Sequence, residues 1–209
     1  MTYKESIVRG RIQSEHAVQL FDSPESLAQT VAGILASRHA EGDDLLVVAK
    51  RANWSAVATC LAEGGVDADR LIRSRRLTVL DAAETLDAIS RRDVPDPELF
   101  ENVVGTLVRQ RSADRPLTIY GEMVELLAAE ADFASALKLE ELWNDLSERC
   151  SFRLLCGYSA AHFAAPGNDR TLGRVCAAHT SVHAAAADPL AAWLVRLTRA
   201  PLRLAHSRR

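Results

Sequence analysis

Residues 16–50 read HAVQLFDSPESLAQTVAGILASRHAEGDDLLVVAK, and this stretch decides the fold class. Residues 17–21 predict a strand, and Ser23 and Pro24 follow it, a serine that can cap a helix and a proline suited to its first position. The next apolar positions share one helix face: Leu27, Val31, Ile34 and Leu35. Residues 45–49 are a continuous apolar run, typical of a strand covered on both faces. This strand–helix–strand pattern predicts a parallel sheet.

The same alternation continues along the chain. Three further strands are predicted at residues 77–80, 117–120 and 152–156, and amphipathic helices separate them. Two helical segments between residues 123 and 150 are divided around Asp132. The predicted class is therefore α/β, with a mainly parallel sheet of five or more strands flanked by helices.

Composition narrows the class of protein. The 209 residues are 48% hydrophobic and 25% charged, with a formal net charge of −3, which is typical of a globular chain without an overall basic surface. No stretch approaches 18 uninterrupted apolar residues, and the N-terminus lacks a secretory h-region. The four cysteines are widely spaced. We expect a cytoplasmic protein with reduced thiols, no membrane span and no direct binding to nucleic acid.

The common enzyme motifs do not occur in the sequence. A phosphate-binding loop needs glycines that let backbone N–H groups wrap phosphates and a lysine that reaches their oxygens. Residues 22–26, after the first predicted strand, read DSPES and supply neither. The dinucleotide and nucleophile-elbow glycine motifs are also missing. We therefore predict no enzyme activity, no catalytic residue and no cofactor.

Candidate ligand-binding residues lie where predicted strands end. Tyr120, Gly121 and Glu122 close the fourth strand, and ligands of open α/β sheets bind outside the carboxyl ends of strands. The alternative for Glu122 is a carboxylate that favours the start of the next helix. Cys156 and Tyr158 close the fifth strand and are predicted to line the same crevice. Packing in the core is the alternative for Cys156.

Histidines supply further candidates. His16 precedes the first strand and is predicted at its amino end, opposite the pocket edge. The alternative is a capping or structural histidine. Cys176, His179 and His183 have the spacing i, i+3, i+7, which on a helix would present three ligands to a metal. A fourth ligand is not evident, so packing is the favoured interpretation and no metal site is predicted. Glu140 and Glu141 are adjacent on a predicted helix, so one of them should face solvent.

The end of the chain differs in character. Residues 186–209 form a predicted basic amphipathic tail, and residues 1–13 form a predicted N-terminal extension. The apolar stripe of the tail is Leu190, Trp193, Leu194 and Leu197, and its arginines are Arg196, Arg199, Arg203, Arg208 and Arg209. Such a helix either packs on its own domain or binds a partner helix or membrane surface.

Several sequence words together carry a family resemblance. They are HAVQLF at 16–21, DAAETL at 81–86, GEMVELL at 121–127, LEELW at 139–143, LLCGY at 154–158 and CAAH at 176–179. In their order and spacing, residues 14–185 resemble the MEDS family, the methanogen/methylotroph sensory domain. The resemblance implies a RecA-like fold without a working P-loop, and sensing of small hydrocarbon-like ligands.

The resemblance also frames the functional hypotheses. Relatives usually carry a histidine kinase, an anti-sigma kinase-like module or a DNA-binding segment, and this sequence shows no such output module. We therefore expect a non-catalytic sensory domain that signals in trans, to a protein such as a histidine kinase or an anti-sigma regulator. Its predicted ligand-binding residues are Glu122, Tyr120, Gly121, Cys156, Tyr158 and His16.

Two alternatives remain open. One is a ligand-free interaction module whose former nucleotide crevice is filled and which acts through a partner or as a homo-oligomer. The other is a cryptic nucleotide-binding enzyme, which rests on fold analogy alone.

Overall fold

The computed structural model describes residues 14–165 and 168–184. Six strands within them form one parallel sheet, with the spatial order β3-β2-β6-β7-β1-β8. These strands are β1 (Glu15–Phe21), β2 (Asp44–Ala49), β3 (Leu77–Asp81), β6 (Leu117–Gly121), β7 (Arg153–Ser159) and β8 (Ser181–Ala184). A small antiparallel hairpin pairs β4 (Ser90–Arg91) with β5 (Val94–Pro95). The predicted α/β class with a mainly parallel sheet is confirmed.

Helices follow most of the strands. They are α1 (Pro24–Ala40), α2 (Arg51–Glu63), α3 (Ala68–Arg73), α4 (Ala82–Ala88), α5 (Pro97–Phe100), α6 (Thr106–Ser112), α7 (Met123–Ala129), α8 (Phe133–Ser147) and α9 (Asp169–Ala177). A π-helical turn, Glu101–Gly105, joins α5 to α6, and a 3-10 turn, Ala160–Phe163, follows β7. No helix of residues 14–165 and 168–184 is long and apolar enough to cross a membrane.

Side-chain caps fix where two of the long helices begin. Ser23 Oγ accepts the backbone N–H of Ser26 at 3.1 Å, and Pro24 occupies the first position of α1. The turn after β1 is therefore a helix cap. Asp132 caps α8 in the same way, because its Oδ1 accepts the N–H of Ser135 at 3.0 Å. The break predicted around Asp132 is confirmed.

The sheet separates two apolar layers. On one face, side chains of α1, α2 and α3 pack against Ala17, Phe21, Tyr120 and Leu155. On the other face, α4 to α9 cover the opposite side chains of the same strands, including those of Cys156 and Tyr158. Because successive strand residues point to opposite faces, this layering decides which candidate residues can meet.

The last described residues form a strand that the sequence did not predict. Cys176, His179 and His183 do not share one helix face, because α9 ends at Ala177 and His183 lies in the additional strand β8. The five predicted strands are therefore joined by a sixth, parallel to β1. The predicted N-terminal extension and C-terminal tail, including its helical stripe, lie outside the described residues.

Candidate functional site

Glu122 lies at the carboxyl end of β6 and is 0% exposed. Its Oε2 accepts the backbone N–H of Lys50 at 2.9 Å and the side-chain amide of Asn53 at 3.0 Å. Its Oε1 accepts the hydroxyl of Tyr120 at 2.8 Å. Burial raises the pKa of Glu122, although these three donors oppose the shift. The carboxylate thus ties β6 to the start of α2 with protein donors on both of its oxygens.

Glu125, one turn further along α7, makes a similar tie that the sequence analysis did not predict. Its Oε2 accepts the N–H of Ser159 at 2.8 Å, and its Oε1 lies 2.9 Å from His162 Nε2. The Lys50 amino group is 3.9 Å from Oε1. The carboxyl edge of β2, β6 and β7 is therefore held by two buried carboxylates whose partners come from the chain itself.

Gly157 in β7 leaves room for the Tyr120 hydroxyl in the neighbouring strand. A Cβ atom at Gly157 would lie 3.0 Å from Tyr120 Oη and 3.4 Å from its Cε2 atom. The phenol therefore depends on a residue without a side chain to reach Glu122.

We expect Gly157→Ala to lower the free energy of unfolding by about 1–2 kcal/mol, because the added methyl pushes the Tyr120 hydroxyl away from Glu122. Urea unfolding measures the change. Gly33→Ala is the matched control, since nothing lies within 4 Å of its Cβ position and it sits inside α1. Alanine there should stabilise the helix by about 0.5–1 kcal/mol. Equal effects at both positions would contradict the packing argument.

A second group of polar side chains lies on the opposite face of the sheet, beneath α8. We call His16, Glu140, Cys156 and His179 the His–Cys–Glu cluster. One ligand atom from each of the four lies within 4.8 Å of all the others. The side chains of Glu140 and His179 are 0% exposed, and that of His16 is 4% exposed. These residues come from β1, β7, α8 and the turn between α9 and β8.

Glu140 is the centre of the cluster. Its Oε2 lies 3.1 Å from His16 Nε2 and accepts the Cys156 thiol at 3.4 Å. Its Oε1 accepts the Tyr158 hydroxyl at 2.9 Å and lies 3.3 Å from His179 Nε2. His16 Nε2 and Cys156 Sγ are themselves 3.4 Å apart.

The other nitrogen of each imidazole ring bonds to a fixed acceptor. His179 Nδ1 donates to the Val175 carbonyl at 2.7 Å. His16 Nδ1 lies 2.8 Å from Asn144 Oδ1, and the Asn144 amide donates to the Ala178 carbonyl at 3.0 Å. This network assigns the amide oxygen, so His16 Nδ1 carries a proton. Both Nε2 atoms therefore face Glu140.

The electrostatics of the cluster favour an ionised Glu140. Burial alone would raise the pKa of this carboxyl, but His179 and His16 hold it well below its usual range. Burial also disfavours the charged form of His179, yet the nearby carboxylate raises the pKa of its imidazole. Burial raises the pKa of the Cys156 thiol, and Glu140 adds to the shift. Without a cation at this site, Cys156 is a thiol.

One atom of the cluster has no hydrogen-bond partner. His179 Nε2 is buried and makes no hydrogen bond, although it lies within ion-pair distance of Glu140 Oε1, at 3.3 Å. A buried polar atom without a hydrogen bond lowers stability, and here the charge of Glu140 compensates part of that cost. Its presence beside three other potential ligands makes the cluster the strongest candidate site in the described part of the chain.

The structure divides the predicted ligand-binding residues between two places. Tyr120 and Glu122 meet at the carboxyl edge beside Gly121, whereas His16, Cys156 and Tyr158 meet around Glu140 on the other face. The prediction that Cys156 and Tyr158 line one crevice with Glu122 is wrong, because Tyr120 and Cys156 occupy opposite faces of the sheet. His16 is the second residue of β1, at its amino end, and its imidazole belongs to the cluster.

Glu140 and His179 complete the cluster and Asn144 bonds to it, and none of the three was a predicted ligand-binding residue. One signal for Glu140 and Asn144 was present in the sequence. They are polar residues four apart on α8, on the same side as the buried Leu139, Trp143 and Leu146. The prediction that one of the adjacent glutamates faces solvent is confirmed, since Glu141 is exposed and Glu140 is buried. Cys176 and His183 are outside the cluster.

Comparison with known proteins gives a family match. Residues 15–180 match the family model described as the methanogen/methylotroph, DcmR sensory domain, abbreviated MEDS. The match covers most of the chain and confirms the resemblance. No curated protein matches the sequence.

Solved structures also include similar chains. A KaiC-like protein from the hyperthermophilic archaeon Pyrococcus horikoshii OT3 is 15% identical, with a TM-score of 0.45. The similarity covers 73% of this chain and 66% of that one, so the chain spans just under two thirds of that protein's length.

Proposed function

The chain belongs to the MEDS family of sensory domains, and on that premise we propose that it is a non-catalytic regulatory domain that binds a small ligand. The His–Cys–Glu cluster, with the adjacent Tyr158 hydroxyl, is the proposed point of ligand contact. The ligand class is a small hydrocarbon derivative with one polar group. The partner is a signalling protein such as a histidine kinase or an anti-sigma regulator, contacted in trans.

The observation that carries this proposal is the burial of the cluster together with its unpaired His179 Nε2. Polar groups taken out of water without full compensation lower stability, so a fold that keeps them in its core usually uses them. An alcohol or carbonyl compound supplies one polar atom for His179 Nε2 and an apolar remainder. Phe163, whose ring centroid is 5.9 Å from that of Tyr158, offers an apolar neighbour for that remainder.

The cluster is also connected to an edge of the sheet. Thr180, directly after His179, donates its N–H to the His16 carbonyl at 2.6 Å and leads into β8, which pairs with β1. The Asn144 amide holds the Ala178 carbonyl just before it. A ligand that binds one position of this turn better than another shifts the population of docked β8. This link is the proposed route from the ligand to a partner surface.

Two buried tyrosines provide a matched test. The purified protein is denatured and the released small molecules are identified by mass spectrometry. The affinity for the identified compound, or for a panel of short alcohols and aldehydes, is then measured by calorimetry. We expect Tyr158→Phe to weaken binding about tenfold, the equivalent of one hydrogen bond. Tyr120→Phe, which removes a buried hydroxyl on the other face, should leave the affinity unchanged.

Hydrogen exchange supplies the second readout. Ligand should change the protection of the amides of residues 181–184 if occupancy of the cluster acts on β8. Equal losses of affinity in the two tyrosine variants would contradict the site. The absence of any bound compound, together with unchanged exchange in the panel, would contradict the ligand-responsive function.

A second function has one specific observation in its favour. Both oxygens of Glu122 and both oxygens of Glu125 already bond to or contact protein groups at the carboxyl edge. This is the arrangement expected of an interaction module whose former nucleotide crevice is filled. Such a module would form a stable oligomer in the absence of ligand. Truncation of the chain at Pro189 would weaken the association of its subunits. Light scattering on the full and truncated chains separates it from a ligand-responsive domain.

A further inference from the structure

We propose that the His–Cys–Glu cluster is a zinc site, in which His16 Nε2, His179 Nε2, Cys156 Sγ and one oxygen of Glu140 bind a single ion. No metal site is predicted from the sequence, because Cys176, His179 and His183 lack an evident fourth ligand there. Three of the four ligands proposed here come from distant parts of the chain. The strand pairing of β1 with β7, and the packing of α8 and the α9–β8 turn, bring them together.

The donor set fits zinc better than the other common biological cations. Zn²⁺ takes imidazole, thiolate and carboxylate ligands in a tetrahedron, whereas Mg²⁺ and Ca²⁺ prefer oxygen ligands. Two nitrogens, one sulfur and one oxygen complete a four-coordinate shell. No water ligand is needed, so the arrangement corresponds to a closed site.

The distances between the ligand atoms also fit. A tetrahedron with metal–nitrogen and metal–oxygen bonds of about 2.0–2.1 Å has edges of about 3.3 Å, and those to sulfur are slightly longer. With Oε2 of Glu140 as the ligand oxygen, the separations are 3.1 Å to His16 Nε2 and 3.4 Å to Cys156 Sγ, and His16 Nε2 is 3.4 Å from Cys156 Sγ. His179 Nε2 lies 3.3 Å from the other oxygen, Oε1, and the four ligand atoms of the cluster lie within 4.8 Å of one another. The side chains therefore already surround a position for one ion, and small shifts complete the shell.

The acceptors behind the two histidines have the arrangement that metal-bound histidines require. Each ligating imidazole usually donates its other N–H to a fixed acceptor, which orients the ring and selects the tautomer. His179 has the Val175 carbonyl and His16 has Asn144 for this purpose. The Nε2 atoms of the two rings are then the nitrogen atoms left for the ion, and both lie within 4.8 Å of the other ligand atoms. A bound ion would also satisfy His179 Nε2, the atom that lacks a hydrogen-bond partner.

Charge balance adds to the argument. A carboxylate on Glu140 and a thiolate on Cys156 neutralise a divalent cation, so the occupied site carries no net charge in the core. The thiol proton of Cys156 leaves to solvent as the zinc–sulfur bond forms. A Zn²⁺ ion would therefore replace the contacts among these four buried side chains by four metal–ligand bonds.

Bound zinc would clamp the α9–β8 turn onto β1 and α8 through His179. A signalling role for this clamp rests on the proposed function, in which β8 carries the signal from the ligand to the partner. The metal site itself does not depend on that function. An ion on His179 Nε2 would take the place of the ligand's polar atom there, so in the zinc-loaded chain the Tyr158 hydroxyl would be the remaining polar contact for the ligand.

The test uses the full chain after removal of metals with a chelator. Zn²⁺ is titrated against a chromophoric chelator, and Co²⁺ is used as a spectroscopic substitute. We expect one equivalent of Zn²⁺ to bind. Co²⁺ should give intense visible bands of four-coordinate geometry together with a thiolate charge-transfer band in the near ultraviolet. Mg²⁺ should neither bind nor compete.

Variants assign the ligands. Cys156→Ser keeps the shape of the side chain and should abolish the thiolate band. His179→Ala should weaken Zn²⁺ binding at least about 100-fold. Asn144→Leu, which removes the acceptor of His16 Nδ1, should weaken it about 10–100-fold. The controls are Cys60→Ser and His39→Gln, which lie in α2 and α1 on the other face of the sheet and should leave binding unchanged.

Two outcomes would overturn the proposal. One is Zn²⁺ binding that the control substitutions weaken as much as the cluster substitutions do. The other is the lack of stoichiometric binding to a metal-free protein whose circular dichroism spectrum shows it to be folded. If no Zn²⁺ binds but Tyr158→Phe still weakens ligand binding, the metal proposal fails and the proposed function stands. If Zn²⁺ binds at the cluster but Tyr158→Phe does not change ligand affinity, the proposed function fails and the metal site stands.

Discussion

Glu140→Ala should lower the free energy of unfolding of the metal-free protein by about 3–5 kcal/mol, the range found when one partner of a buried charge pair is removed. The substitution deletes the acceptor of the Tyr158 hydroxyl and the Cys156 thiol. It also leaves His16 and His179 buried without their carboxylate. A cavity beneath α8 adds to the loss.

The neighbouring glutamate is a suitable control. Glu141 is exposed on the same helix, so Glu141→Ala should change the free energy of unfolding by no more than about 0.5 kcal/mol. Both variants are compared with the unsubstituted chain by urea unfolding in the presence of a chelator. A loss of less than about 1 kcal/mol for Glu140→Ala would show that water or neighbouring groups already compensate the cluster. That result would remove the physical basis for treating the cluster as a site.

Much of the fold could be predicted because the strands and helices differ in local pattern. Residues 45–49 of β2 are all buried and form an unbroken apolar run, and α8 has its apolar stripe at helical spacing. The local hydrophobic pattern of each segment does not predict the order of the strands in the sheet. The pairing of Val18 with Cys156 joins residues whose separation exceeds any sequence window.

The missed parts of the site have specific physical causes. The strand β8 has four residues, SVHA, too few to show a period of two beside an alanine-rich stretch. When β8 is not recognised, the spacing of Cys176, His179 and His183 suggests one continuous helix. His179 is then grouped with Cys176 and His183 and not with His16, Glu140 and Cys156. Whether Glu140 or Glu141 is buried depends on the rotation of α8 about its axis, which is set by packing against the sheet.

The second large effect is expected at the carboxyl edge, where Glu122→Ala should lower the free energy of unfolding by about 3 kcal/mol. Three donors lose their acceptor, namely the Lys50 N–H, the Asn53 amide and the Tyr120 hydroxyl. Each unpaired buried donor costs about 1–3 kcal/mol, and relief of the buried charge offsets part of that sum. Urea unfolding measures the loss, which we expect without any change of ligand affinity.

Glu122→Gln separates the charge of this side chain from its hydrogen bonds. The amide oxygen can still accept from Lys50 and Asn53, so the loss at neutral pH should be about 1 kcal/mol or less. The pKa of Glu122 is raised in the folded state, so the folded chain binds this proton more readily than the unfolded chain. The stabilising contribution of this protonation is complete below the unfolded pKa and is lost as the pH rises through the folded value. Unfolding measured across that window should therefore show a component that the glutamine variant lacks. Identical pH profiles for the two chains would mean that the three donors fully compensate the burial of the charge. Glu122 would then join β6 to α2 as an ionised carboxylate at neutral pH.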